Sequence, residues 1–123
     1  MKFYVAGKYQ ERQMITEIMD ELRALGHEIT TDWTSHGYAT PEVHSSYAVD
    51  DVRGVKEADV YIGVFINGHR YRGALCELGA ALALDKPCWI IGYAEDDCIF
   101  MLHPLVEHFD DWKLFYHWFR CKD

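Results

Sequence analysis

The spacing of apolar and polar positions changes period several times along this chain, and each change marks an element. Residues 2–7, "KFYVAG", form a short apolar run closed by Gly7, which reads as a buried strand. Met14, Ile15, Ile18, Met19, Leu22 and Leu25 then recur at helical spacing, with Gly26 placed to cap the C-terminus. "HEITTDW", residues 27–33, alternates weakly and predicts a second strand, whereas residues 35–46, "SHGYATPEVHSS", are dense in turn formers and read as a loop. Residues 46–57 predict a helix with Tyr47, Val52 and Val55 inward. "ADVYIGVFI", residues 58–66, is a near-continuous β-branched and aromatic run, the pattern of a central strand covered on both faces. After a loop, "NGHRYRG", the small apolar stretch "RGALCELGAALALDKP" predicts a helix ending near Asp85. "KPCWIIGY" predicts another buried strand. The tail "DDWKLFYHWFR" predicts an amphipathic helix, preceded by a short edge strand near Val106.

Strands alternating with helices imply a parallel sheet with right-handed crossovers, an open α/β architecture of about five strands with helices on both faces. Ligands of such sheets sit beyond the carboxyl ends of the strands, where strand order reverses. Residues 7–10, 32–36 and 67–77 all fall on that rim.

The 123 residues fit one domain, 1–123, and an apolar fraction of 50% supports a globular core. The longest apolar run is too short to span a membrane, and the N-terminus has no basic-then-apolar leader pattern, so the expectation is a cytoplasmic protein with no membrane association. A formal charge of −8 argues against a broad nucleic-acid surface but leaves room for one small anion in a local basic pocket. The four cysteines form no CxxC, and we read them as reduced thiols, Cys76 and Cys88 being core residues. The seven histidines show no HxH or HExxH spacing, so no metal site is expected. Neither GxGxxG, a Walker loop nor a GxSxG elbow is present. The tail carries Trp112, Phe115, Tyr116, Trp118 and Phe119, more aromatic surface than one helix face buries, which points to a partner subunit as well as the core.

One carboxylate interrupts the apolar helix at Glu77, in what reads as its first turn. There the helix dipole and free backbone N–H groups favour the ionised form, which can attack an electrophilic sugar carbon or simply complement its own helix. Asp51 is either a hydrogen-bonding acid at the rim or a solvated surface residue, with Asp50 beside it solvated. Tyr4 is either core or a phenol reaching the rim. His69, Arg70 and Arg72 precede a helix N-terminus, a combination suited to phosphate or to solvent alone.

Taken together, "FYVAGKYQERQ", "DDVRGVKEADVYIGVF" and "GALCELGAALALDKP" resemble, in order and spacing, segments of the nucleoside 2-deoxyribosyltransferase family, which includes deoxynucleoside 5′-monophosphate N-hydrolases. The resemblance implies a Rossmann- or flavodoxin-like sheet, no cofactor, and a homodimer or larger homo-oligomer with shared active sites. It casts Glu77 as the nucleophile at the anomeric carbon, Asp51 as the acid that contacts or protonates the base, and Tyr4 as a side chain orienting the glutamate. Gly7 admits the substrate to the backbone, and Gly73 opens the helix. Tyr71 stands where transferases often carry a second acid. Lys8 and Arg12 are the only basic residues in the loop that is Ser- and Arg-rich in the hydrolases, while Arg70 and Arg72 replace acidic residues and favour an anionic substrate. The implied reaction is N-glycosidic cleavage with deoxyribosyl transfer to another base. Hydrolysis of a 2′-deoxynucleoside 5′-monophosphate, and a non-catalytic nucleotide-binding module, are the alternatives.

Overall fold

Phe3, Tyr4, Val5 and Ala6 have no solvent exposure, because the strand that carries them lies inside the sheet with helices over both of its faces. The computed structural model describes residues 1–37, 40–66, 70–92 and 98–121. The strands are β1 (Lys2–Ala6), β2 (Glu28–Ile29), β3 (Val60–Phe65), β4 (Cys88–Gly92) and β5 (Val106–Phe109). The helices are α1 (Arg12–Ala24), α2 (Pro41–Glu57), α3 (Arg72–Ala83) and α4 (Trp112–Cys121). Among the described residues the strands form one parallel sheet in the order β2-β1-β3-β4-β5, a flavodoxin-like open α/β sheet as the alternation predicts. Strand order reverses between β1 and β3, so the rim between them is the expected ligand crevice.

Register places Tyr4 beside Tyr61 and Ala6 beside Gly63. Alternation along β1 turns Phe3 toward α4, where it meets Phe119, and Tyr4 toward α2 and α3. The apolar stripe of α1, Ile15, Ile18, Met19 and Leu22, is buried, and Gly26 ends that helix at φ 91°. Leu25, one residue past the last turn, is exposed.

Four expectations change. Residues 41–46 are helical rather than loop: Pro41 starts α2, where its missing N–H costs nothing, and the polar residues after it face solvent (residues 38–39 lie outside the described residues). On that longer helix Val55 is buried but Val52 is exposed. Cys76 is also exposed, because the buried stripe of α3 runs through Ala74, Leu78, Ala81 and Leu82 and leaves position 76 on the other side; Cys88 is buried, and its thiol is pushed up to about 12 by burial. The part of the tail expected to pack on the core does so. Phe115 and Phe119 stack on each other at 5.7 Å and meet Trp89 at tilted angles, Phe119 also meets Phe3 edge-on, and Trp118 meets Trp89 edge-on at 5.3 Å. The second strand is shorter than "HEITTDW" suggests, since Thr30 and Thr31 turn their hydroxyls onto backbone carbonyls of α2, at 2.7 Å and 3.1 Å.

Those threonine bonds bring α2 close to β1 at Gly54. A Cβ there would clash with the Thr31 hydroxyl and lie 2.9 Å from Tyr4 Cδ1. Gly54→Ala should therefore lower stability by about 1–3 kcal/mol despite the better helix propensity of alanine. A urea midpoint equal to or above that of the parent would show that the approach is not tight.

Candidate functional site

Glu77 is the sixth residue of α3, one turn deeper than its sequence context suggests, and α3 has no acid in its first turn. Its backbone N–H is thus beyond the free donors of the helix start, and the helix terminus does not account for its charge state. Burial does: it raises the carboxyl from 4.5 to about 7, the Tyr4 hydrogen bond partly opposes that rise, and the negative charge of Asp51 adds to it. The expectation of a carboxylate kept ionised by the helix dipole is replaced by an acid that titrates near neutrality.

Tyr4 Oη donates its hydrogen bond to Glu77 Oε2. The phenol is held in place from the neighbouring strand: Tyr61 lies parallel to it with centroids 6.3 Å apart and donates to the Ala74 carbonyl at 2.6 Å, tying β3 to the first turn of α3. Burial, then the proximity of Glu77, raise the Tyr4 pKa well above that of a free phenol, so the group stays a neutral donor.

Both side chains open onto a cavity of about 310 Å³ at the β1–β3 rim. Gly7, Gly73 and Asp51 line the same cavity. Asp51 Oδ1 is buried without a hydrogen-bond partner. Burial raises this carboxyl, His36 pulls it back down, and Asp50 pushes it up again. Asp50 itself is half exposed and paired with Arg53 at 3.4 Å. A carboxyl oxygen left unsatisfied next to a cavity is an unused hydrogen-bonding position facing whatever enters.

A second cavity, of about 500 Å³, shares Gly7, Tyr9 and Gly73 with the first and adds Lys8, Arg70, Tyr71 and Arg72. Lys8 Nζ donates to the Arg70 carbonyl at 3.2 Å, and Tyr71 Oη donates to Glu11 Oε1 at 2.8 Å, so two contacts brace the loop before α3 against the loop after β1. Arg12 lines neither cavity; its guanidinium lies 4.4 Å over the Tyr9 ring. His69 falls outside the described residues. The sequence placed Tyr9, Trp33 and His36 on the rim and Tyr47 on the inner side of its helix, but named none of them, nor His44, as a site residue; all five line the first cavity. The spacing of Tyr47 and Asp51 on one face of the expected helix was the available signal, and reading residues 41–46 as a loop hid only His44, one turn earlier on that face. Among the described residues no cluster of three His, Cys, Asp or Glu side chains is arranged to hold a metal ion, and no helix is long and apolar enough to cross a membrane.

Solved structures share this fold, and two of them are enzymes that act on nucleosides or nucleotides. A 2-deoxyribosyltransferase from the psychrotolerant bacterium Bacillus psychrosaccharolyticus superposes with a TM-score of 0.73 over 92% of this chain and 88% of its own, at 21% identity. The CMP N-glycosidase BcmB of Clostridium botulinum superposes with a TM-score of 0.67 over 100% of both chains, at 16% identity. At such identities the likeness establishes the fold. No protein-family model matches the sequence, and neither does any curated protein.

The raised pKa of Glu77 has a consequence for stability. Between 4.5 and about 7 the folded chain holds the Glu77 proton more tightly than the unfolded chain, so this residue's contribution falls as pH rises through that window. Glu77→Gln keeps an acceptor for Tyr4 and cannot ionise. It should melt above the parent at pH 8, with the difference vanishing at pH 4. A variant that melts below the parent at pH 8 would contradict the desolvation of Glu77.

Proposed function

We propose that this protein cleaves the N-glycosidic bond of a 2′-deoxynucleoside or its 5′-monophosphate, transferring the deoxyribosyl group through an ester on Glu77. The observation that carries this reading is a partly buried carboxylate, held by one phenol and opening onto a cavity with a second, unpartnered carboxyl at its edge. Two carboxyl groups in different environments suit a double displacement at an anomeric carbon. Glu77 in its ionised form attacks that carbon, Tyr4 fixes the oxygen that does not attack, and Asp51 meets the departing base. A second base, or water, then attacks the ester and releases Glu77. Gly73 leaves the rim open to the sugar, since a Cβ there would meet no atom within 4 Å, whereas a Cβ at Gly7 would lie 2.8 Å from Ile15 Cδ1, so glycine at position 7 serves the packing of α1 against β1.

The basic cavity favours a second reading at the same site, a 5′-monophosphate as substrate with water as acceptor. In a chain of net charge −8, three cations from Lys8, Arg70 and Arg72 beside the catalytic cavity supply the donors a phosphate needs. Arg12 stands behind Tyr9 and contributes charge rather than contact. The two nucleoside enzymes of the same fold support the reaction class but not the choice of acceptor.

Incubating the protein with deoxynucleosides and their monophosphates, with and without a free acceptor base, tests both readings. Base exchange is the expected result for a transferase; base release unaffected by an acceptor selects hydrolysis. Glu77→Ala should lower kcat by at least about 1,000-fold on the active substrate. Arg70→Ala with Arg72→Ala should raise KM for the monophosphate at least about tenfold and leave that for the nucleoside unchanged. A parent that binds nucleotide with no turnover would leave only a binding module. We also propose a homo-oligomer, supported by Ile99, Phe100 and Leu102, which lie exposed between β4 and β5. Light scattering that reads a single chain per particle would remove this part.

A further inference from the structure

The α2 side of the first cavity carries ionisable groups beyond Asp51. His44, Tyr47 and Asp51 recur three and four residues apart on α2, so they share the helix face that lines the cavity. His36 reaches the same wall from another segment, one residue past a single 3₁₀ turn at Trp33–Ser35 that is anchored by Trp33 Nε1 donating to the Val5 carbonyl at 2.6 Å. The His36 ring lies flat on Tyr47, with centroids 3.8 Å apart and planes 5° from parallel. That stack covers one ring face and leaves the edge, where both nitrogens sit, free; neither nitrogen has a hydrogen-bond partner among the described residues. Asp51 Oδ1, likewise unpartnered, lies within the electrostatic reach of this imidazole.

A nucleobase leaving an anomeric carbon takes the electron pair of the broken C–N bond and must be met by a proton. Imidazole is the side chain best suited to give and recover one near neutral pH. We propose that His36, held flat on Tyr47 beside Asp51, is the proton donor to the departing base, while Asp51 holds the edge of that base. This rests on the N-glycosidic reading and adds to it a catalytic residue that the family resemblance does not supply.

The steps balance. As the Glu77 oxygen bonds to the anomeric carbon, the C–N bond breaks, its electrons stay with the base, and the imidazolium proton moves to the base, leaving neutral His36. The acceptor, water or a second base, then attacks the anomeric carbon, the ester bond breaks to regenerate the Glu77 carboxylate, and the acceptor's proton returns to His36. Among the described residues the other ionisable groups around this imidazole are Asp50, Asp51, His44 and Tyr47 from α2, with Tyr4, Tyr9 and Glu77 on the same cavity. Asp32, ahead of the 3₁₀ turn, is already paired with Arg23 at 2.9 Å.

The test compares two substrates on the full chain: a 2′-deoxynucleoside 5′-monophosphate, and 4-nitrophenyl 2-deoxyriboside 5-phosphate, whose leaving group departs without a proton. His36→Gln should lower kcat on the nucleotide by about 100-fold and change turnover of the nitrophenyl substrate by less than about threefold. Added imidazole should restore part of the lost rate to His36→Ala. Nucleotide turnover by His36→Gln within about threefold of the parent would overturn the proposal, as would equal losses on both substrates, the mark of a role in folding or binding alone. A parent that consumes neither substrate, nor the unphosphorylated form of either, would overturn the N-glycosidic reading itself, and this role with it.

Discussion

The hydrogen bond from Tyr4 to Glu77 joins the first strand of the sheet to the helix after the third, across the one place where strand order reverses. Its two ends need different things. A phenol on a strand buried from Phe3 to Ala6 has a fixed position but little freedom to move; a carboxyl in the second turn of a helix is withdrawn from water and needs a donor. Each supplies what the other lacks. The parallel register of β1 and β3, the bond from Tyr61 to the Ala74 carbonyl and the absence of a side chain at Gly54 all serve to keep that pair in one geometry.

From that pair the chemistry of the rim spreads in two directions. Toward α2 it is aromatic and weakly acidic, with Asp51 Oδ1 and the ring nitrogens of His36 without hydrogen-bond partners among the described residues. Toward the start of α3 it is cationic, with Lys8, Arg70 and Arg72 around a space that joins the first at Gly7, Tyr9 and Gly73. A nucleotide has the same order of parts: a flat heteroaromatic ring, a sugar, and a dianion. The proposed substrate class follows from this match of sequence along the rim, since neither cavity by itself would distinguish a nucleotide from another small polar ligand.

Periodicity made the sheet legible because buried parallel strands leave continuous apolar runs, and "DVYIGVFI" or "CWII" admit few other readings. It failed where composition imitates something else. Residues 41–46 carry proline, serine and histidine because that end of α2 faces solvent, and a solvated helix start looks like a loop. That misreading concealed His44, one turn before Tyr47 and Asp51 on the face that lines the cavity. That Glu77 lies on the helix after the third strand was legible, but its depth in that helix and its charge state were not, since burial sets the charge state first and Tyr4 and Asp51, far away in the chain, then adjust it. Likewise, nothing local to the aromatic tail tells that Trp89 and Phe3 would take up Phe115 and Phe119.

The bond between sugar and protein is the central claim, and it can be weighed. A 2′-fluorinated nucleoside 5′-monophosphate slows formation and loss of an anomeric ester alike, so that the intermediate accumulates. Mass spectrometry of the digested protein after such incubation should find the fluorosugar phosphate on the peptide that contains Glu77. Base released from the analogue while the sugar sits on another residue, or on none, would contradict attack by this carboxylate.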